Sequence, residues 1–146
     1  MYLMIAALIL LCAGVTSCEL KRTNPLDPNN NPNITAPPRV TGLTASGSGA
    51  GVLTKSATLT WTRNIVNTNG YYIYMGLAYN SVYARIDTLQ GNVSTGNTMS
   101  KIVFVPSAGY YYFKVSAYRN TDNNGAPLND NLEGSLSEWA IAHVEN

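Results

Sequence analysis

Apolar and polar residues alternate in short runs from Arg39 onward, and clusters of Gly, Asn and Ser separate these runs. This spacing is typical of a β-sandwich, and no window shows the repeat of about 3.6 residues that marks an amphipathic helix. The pattern therefore predicts an all-β domain of about seven strands. The predicted strands cover residues 40–46, 56–62, 71–75, 82–89, 98–105, 110–119 and 139–144.

Two of these strands show which of their faces is buried. In the second strand, Ala57, Leu59 and Trp61 alternate with Ser and Thr and should face the core. The sixth strand carries Tyr111, Phe113, Val115 and Ala117 on one face, and Tyr110, Tyr112, Lys114, Ser116 and Tyr118 on the other. A slip of one residue would bury Lys114, so the pattern sets the strand register strongly.

The N-terminus carries a different signal. Residues 3–15 form an uncharged apolar run, which is shorter than the roughly 20 residues that cross a bilayer as a helix. The sequence Val15-Thr16-Ser17-Cys18 follows and resembles the lipobox of bacterial lipoproteins. The resemblance implies a signal peptide at 1–17 and a diacylglycerol and acyl lipid on Cys18. We therefore expect a lipid-anchored, extracytoplasmic protein of the cell envelope, held at the outer membrane. The alternative is a buried core strand with an ordinary cysteine.

The segment after Cys18 is unfit for a core, because it is rich in Pro and Asn and poor in large apolar residues. Its prolines favour extended geometry at about 3 Å per residue, so we expect residues 18–36 to form a stalk between the membrane and the domain at 37–146.

Five segments of that domain follow one another in a distinctive order. They are a Pro-rich start at 37–45, Leu59-Thr60-Trp61, an aromatic run at 70–74, a longer one at 109–118 and a Ser-rich run at 135–138. The ordered set resembles a fibronectin type III domain spanning Ala36 to Asn146. The resemblance implies that Trp61 fills the core and that Tyr111 forms a tyrosine corner, its hydroxyl bonding to upstream backbone. An unrelated immunoglobulin-like sandwich is the alternative.

Composition narrows the classes of function. Charged residues make up 12% of the chain and the formal net charge is +1, which is too little to hold a phosphate backbone, so we expect no nucleic-acid partner. One histidine and two cysteines exclude a Cys/His zinc cluster. The sequence has no Gly-x-Ser-x-Gly nucleophile elbow whose serine His143 could activate as a general base. We therefore predict a surface or edge histidine and no enzyme.

The chain has ten tyrosines and only two phenylalanines. In a fibronectin type III sheet the third and sixth strands are neighbours, so the resemblance implies one outward aromatic stripe formed by Tyr72, Tyr74, Tyr110, Tyr112 and Tyr118, which Tyr83 could extend. Such rings suit a protein or glycan interface. The expected role is binding of an envelope protein or glycan. The alternative is a structural spacer or assembly subunit whose tyrosines only stabilise the sheet.

One loop has oxygen-bearing side chains at a spacing that is similar to that of a calcium-binding loop. Residues 120–125 place oxygen side chains at the first, third and fifth positions and Gly at the sixth, as an EF-hand loop does. The twelfth position is Asn131 rather than Glu. Asp130 or Glu133 could complete a looser site, but a plain polar turn is favoured. We predict no metal, and no cofactor other than the lipid on Cys18.

Overall fold

The computed structural model describes residues 35–92, 96–120 and 131–146. These residues form eight β-strands and no helix, which confirms the all-β prediction. The strands are β1 (Thr44–Gly47), β2 (Ser56–Thr62), β3 (Gly70–Gly76), β4 (Ala84–Gln90), β5 (Thr98–Phe104), β6 (Gly109–Arg119), β7 (Leu132–Glu133) and β8 (Ala140–Val144). No helix in this part of the chain is long and apolar enough to cross a membrane.

The strands form two antiparallel sheets that pack face to face. The first sheet has the order β1-β2-β5. The second has the order β4-β3-β6, and both β7 and β8 pair with β6 on its other side. Side chains from both sheets meet in one core. The result is a sandwich of the immunoglobulin-like kind.

The predicted alternation of buried and exposed residues is confirmed in β2. Ala57, Leu59 and Trp61 are at most 1% exposed, while Thr58 and Thr62 face solvent. Trp61 packs edge-on against Tyr71 with ring centroids 5.2 Å apart. This pair joins the two sheets, because Trp61 comes from the first and Tyr71 from the second.

The tyrosine corner is present at the start of β6. The Tyr111 hydroxyl donates a hydrogen bond to the backbone oxygen of Ser107, 3.0 Å away, and the Tyr111 ring is buried in the core. The bond ties the turn before β6 to the strand itself, as the resemblance implied.

The first strand is shorter than predicted, because β1 begins at Thr44 rather than at residue 40. Gly42 has a φ of 67°, a conformation that interrupts an extended strand. Val40 is still 1% exposed, and the Thr62 amide donates to the Thr41 oxygen at 3.0 Å. The segment therefore covers the core without belonging to β1.

The short strand β7 was not predicted, and a buried serine separates it from β8. Ser137 exchanges two hydrogen bonds with Val115 of β6: the Val115 amide donates to the Ser137 hydroxyl at 2.9 Å, and the Ser137 amide donates to the Val115 oxygen at 2.8 Å. Ser137 thus continues the pairing along β6 across the gap between β7 and β8.

Some predictions fall outside the described residues. These are the signal peptide at 1–17, Cys18 with its lipid, most of the stalk, and most of the loop considered for calcium. Within the described ranges, no group of three or more His, Cys, Asp or Glu residues could hold a metal ion.

Candidate binding face

The outward tyrosines do meet on one face, because β3 and β6 are neighbours in the second sheet. Their register places Tyr72 opposite Ser116, Tyr74 opposite Lys114 and Gly76 opposite Tyr112. Residues at alternate positions of paired strands share a face of the sheet. The five tyrosines therefore lie on the same face of the sheet, and they fall into two parts with different exposure.

The first part is a closed cluster, which we define as Tyr72, Tyr74, Ser116, Tyr118 and Glu133. Tyr72 and Tyr118 stack with ring centroids 4.5 Å apart, and they are only 8% and 2% exposed. Tyr118 also lies directly against Gly70, where any side chain would collide with its ring. The expectation that these two rings face solvent is wrong.

Neighbouring side chains explain why the two rings are buried. The Arg85 guanidinium lies 4.5 Å from the centroid of the Tyr72 ring, and the Asn131 side-chain amide donates to the Tyr72 hydroxyl at 2.8 Å. Asn131 immediately precedes β7, which pairs with the end of β6. The outer face of the sheet is thus covered at this end by a segment that the strand pattern did not reveal.

Glu133 of β7 organises the rest of the closed cluster. One of its carboxylate oxygens accepts hydrogen bonds from the Tyr74 hydroxyl at 2.7 Å and from the Ser116 hydroxyl. Burial, followed by the hydrogen bond to Glu133, raises the pKa of Tyr74 to about 12. The phenol therefore keeps its proton to a higher pH than an exposed tyrosine, and its bonding capacity is used within the protein.

The second part is an open patch, which we define as Tyr79, Tyr110, Tyr112, Trp139, Ile141 and His143. Trp139 lies at its centre: its ring packs edge-on against Tyr112 at 5.6 Å and lies 6.3 Å from the Tyr79 ring. Trp139 remains 44% exposed and Tyr79 59% exposed. Exposed rings in contact with one another are typical of surfaces that bind a partner.

A second ring pair extends the open patch along β6 and β8. Tyr110 and His143 are opposite each other in the register, and their rings stack 4.4 Å apart at an angle of 18°. Tyr110 is 59% exposed, and His143 faces solvent as predicted. Beside the patch, the Lys114 ammonium lies 4.6 Å above the Tyr83 ring. The patch thus combines flat rings with nearby hydrogen-bond donors.

Sequence reasoning missed Tyr79, Trp139, Ile141 and His143 as members of this surface. Three of them could have been predicted from the sequence. Residues 139, 141 and 143 alternate along the predicted last strand with Ala140, Ala142 and Val144, which are buried. Tyr79 lies in the loop between β3 and β4. No periodic signal marks a loop residue, and Tyr79 is placed by the turn around Ser81, whose amide and hydroxyl both donate to the Ala78 oxygen.

Comparison with known proteins bears on the fold. No protein-family model matches the chain, and no curated protein matches it. Among solved structures, an Fn3-like protein from Clostridium thermocellum is 27% identical, with a TM-score of 0.50, over 77% of this chain and 97% of that one. A chain of "Titin kinase and its flanking domains" is 16% identical, with a TM-score of 0.46, over 73% of this chain and 17% of that one.

The strand order, the tyrosine corner and the similarity to the Clostridium protein agree. The domain is a fibronectin type III-like β-sandwich. A fold of this kind supports a binding or structural module, and function then depends on the surface that the module presents.

Proposed function

We propose that this protein is a lipid-anchored bacterial envelope protein whose sandwich binds an envelope protein or glycan, without catalysis, through the open patch. The observation that carries the proposal is the exposed group of rings around Trp139. Aromatic side chains supply large contact areas at low cost in conformational entropy, and they are enriched in binding hot spots.

The position of the open patch supports this role. The start of the domain is held at one pole, where the Asn64 side chain donates to the Pro38 oxygen at 2.6 Å and the Asn67 side chain donates to the Thr35 hydroxyl at 2.7 Å. That pole adjoins Gly70 and the end of β6. The open patch instead surrounds the beginning of β6, near Tyr110 and Tyr112. A stalk attached at Thr35 would therefore present the patch away from its point of attachment.

The anchor rests on the lipobox-like sequence before Cys18. Two or three acyl chains on one cysteine would hold a protein stably at a membrane, since each buried methylene contributes about 0.8 kcal/mol. Cys18→Ala should move the protein from the detergent phase to the aqueous phase when cell extracts are partitioned. Detergent-phase partitioning of this variant at the wild-type level would contradict lipid anchoring.

The binding role is tested by chemical crosslinking in the protein's own cells, followed by capture and identification of proteins and glycans. A variant with Tyr79, Tyr110 and Trp139 changed to Ser should lose the partner, with affinity reduced about tenfold or more. The matched control changes Ile65 and Val66 to Ser, which removes exposed apolar side chains at the opposite pole. Capture of the same proteins and glycans by both variants would contradict a binding role for the open patch.

The second candidate is a structural spacer or assembly subunit, and the closed cluster favours it. Tyr72 and Tyr118 stack under cover of Arg85 and Asn131, so these rings stabilise the sheet and have little surface left for a ligand. A spacer would show no partner that depends on Tyr79 or Trp139. The same capture experiment therefore separates the two candidates.

A further inference from the structure

The four outer edges of the two sheets differ in how open they are to another strand. The β1 edge is closed by β8 and the residue that follows it: Gly47 lies against the His143 backbone of β8, and the Glu145 amide donates to the Ser48 oxygen at 3.0 Å. The same contacts cover the outer side of β8, which is an edge of the second sheet. β7 has only two residues. The β1 edge of the first sheet and the β7 and β8 edge of the second sheet therefore offer no long free backbone to a further strand.

The β4 edge is protected in another way. A bulge interrupts its pairing with β3 between Ile73 and Tyr74, and charged residues Arg85 and Asp87 lie on the strand. Bulges and charges are the usual means by which edge strands avoid pairing with other chains. The β4 edge is therefore a poor template for a further strand.

The remaining edge, β5, has no bulge and carries a single charged residue. Its seven residues pair with β2 without a bulge, and no strand in the described residues lies on its other side. Its one charged residue, Lys101, is paired with Asp87 at 3.1 Å. Ile102 and Phe104 are 55% and 72% exposed on its outer face. A long, regular and apolar edge of this kind favours pairing with another strand.

The hydrogen bonds of β5 show which backbone groups face outward. The Val105 amide donates to the Lys55 oxygen at 3.0 Å, and the Arg63 amide donates to the Asn97 oxygen at 2.7 Å. In an antiparallel ladder these bonds involve alternate residues, so the odd-numbered residues of β5 bond to β2. The amides and carbonyls of Ser100, Ile102 and Phe104 therefore point away from the sheet.

We propose that β5 pairs with β5 of a second copy of this chain, with the two-fold axis at Ile102. In this antiparallel register Ile102 faces its own counterpart, and Ser100 of each copy faces Phe104 of the other. All three outward residues then exchange hydrogen bonds. The two three-stranded sheets join into one of six strands, and the apolar side chains of Ile102 and Phe104 from both copies form one surface strip.

Charge favours a second copy as the occupant. The β5 edge is electrically neutral because Lys101 is paired with Asp87. A neutral, apolar edge pairs best with an uncharged, apolar strand, and β5 of a second copy is such a strand. The register centred on Ile102 also sets Lys101 opposite Val103 of the other copy. A register centred on Lys101 would instead place like charges directly opposite each other, which is destabilising.

Crosslinking through introduced cysteines tests this geometry in the full-length protein in its own cells. Opposed residues in a hydrogen-bonded pair lie about 5.5 Å apart at Cα, within reach of a disulfide. Ile102→Cys should therefore give a covalent dimer on oxidation, measured above the background of the unsubstituted protein. Ser100→Cys alone should not, whereas co-expressed Ser100→Cys and Phe104→Cys chains should crosslink.

A second substitution guards against misreading a folding defect. Adding Ser100→Pro to the Ile102→Cys chain removes an outward amide that makes no bond to β2, so the monomer should keep its resistance to proteolysis while the crosslinked dimer falls about tenfold or more. Adding Thr58→Lys, on the same face but in β2, should leave the dimer intact. The proposal is overturned if Ile102→Cys gives no dimer, or if Ser100→Cys alone gives as much dimer as Ile102→Cys. It is also overturned if Ser100→Pro does not reduce the dimer, or if a different protein is captured at position 102.

Discussion

Trp61 is the largest fully buried side chain in the described part of the chain, at 1% exposure. Replacing a buried aromatic residue with Ala removes its transfer free energy and leaves a cavity. We expect Trp61→Ala to lower the free energy of unfolding by about 3 to 5 kcal/mol, measured by denaturant titration. Leu53→Ala is the control, since Leu53 is 99% exposed and should change stability little. Equal stability of the two variants would show that Trp61 is not a core residue.

Tyr74 makes stability depend on alkaline pH. Burial and the Glu133 hydrogen bond raise the pKa of Tyr74 from 10.0 to about 12. The folded state holds the phenolic proton more tightly than the unfolded state, so this contribution is complete below pH 10 and is lost as the pH rises toward 12. We expect the free energy of unfolding to fall across this interval.

Tyr74→Phe should make that fall less steep, because Phe has no proton to lose. Part of the slope should remain, since burial also raises the pKa of Tyr71 and Tyr118. Denaturant titrations of both proteins at several alkaline pH values give the comparison. The same slope in the variant and the parent would contradict the contact between Tyr74 and Glu133.

Individual residues were predictable wherever the period of two governs them. The burial of Leu59, Trp61 and Phe113 follows from alternation alone. The burial of Tyr72 and Tyr118 does not, because it depends on Arg85 and Asn131, which reach the sheet through tertiary structure. A strand pattern shows which face a side chain occupies, but not what covers that face.

At the scale of elements, Ser137 holds the segment between β7 and β8 against β6. Its hydroxyl accepts from the Val115 amide and donates to the Glu138 oxygen, and Ser137 is 2% exposed. Ser137→Ala would leave the buried Val115 amide without its partner. We expect a loss of about 1 to 3 kcal/mol in the free energy of unfolding, measured by thermal or denaturant unfolding.

Ser135→Ala provides the matched control for Ser137, since Ser135 lies two positions earlier in the same run and faces solvent. This variant should unfold like the parent. If the two serine variants lose stability equally, the Ser137 hydroxyl does not hold this segment against β6.

The strands themselves were largely predictable, because clusters of Gly, Asn and Ser separate most of them and because β2, β5 and β8 alternate clearly between buried and exposed positions. Two differences have local causes. The positive φ of Gly42 delays the start of the first strand to Thr44, and β7 is two residues long, too short to show any period. The pairing of β3 with β6 came from family resemblance rather than from alternation, which carries no information on strand order.

In the whole molecule, the domain has two distinct poles, and the predicted anchor precedes one of them in the chain. Asn64 and Asn67 hold the start of the domain at one pole. The open patch lies toward the other, around Trp139. The candidate site was predictable in kind, as an aromatic face, but the residues that remain accessible are largely not those the stripe first indicated.

If the open patch contacts a partner at the cell envelope, a crosslinker placed within the patch should capture that partner. The most direct measurement places a photo-crosslinking amino acid at Tyr79 and, in a separate strain, at Ile65. Both residues are exposed loop positions, at 59% and 77%, on opposite poles. The proposed binding role predicts a crosslinked partner from position 79 and none from position 65. Crosslinking from Ile65 alone, or from neither position, would contradict it.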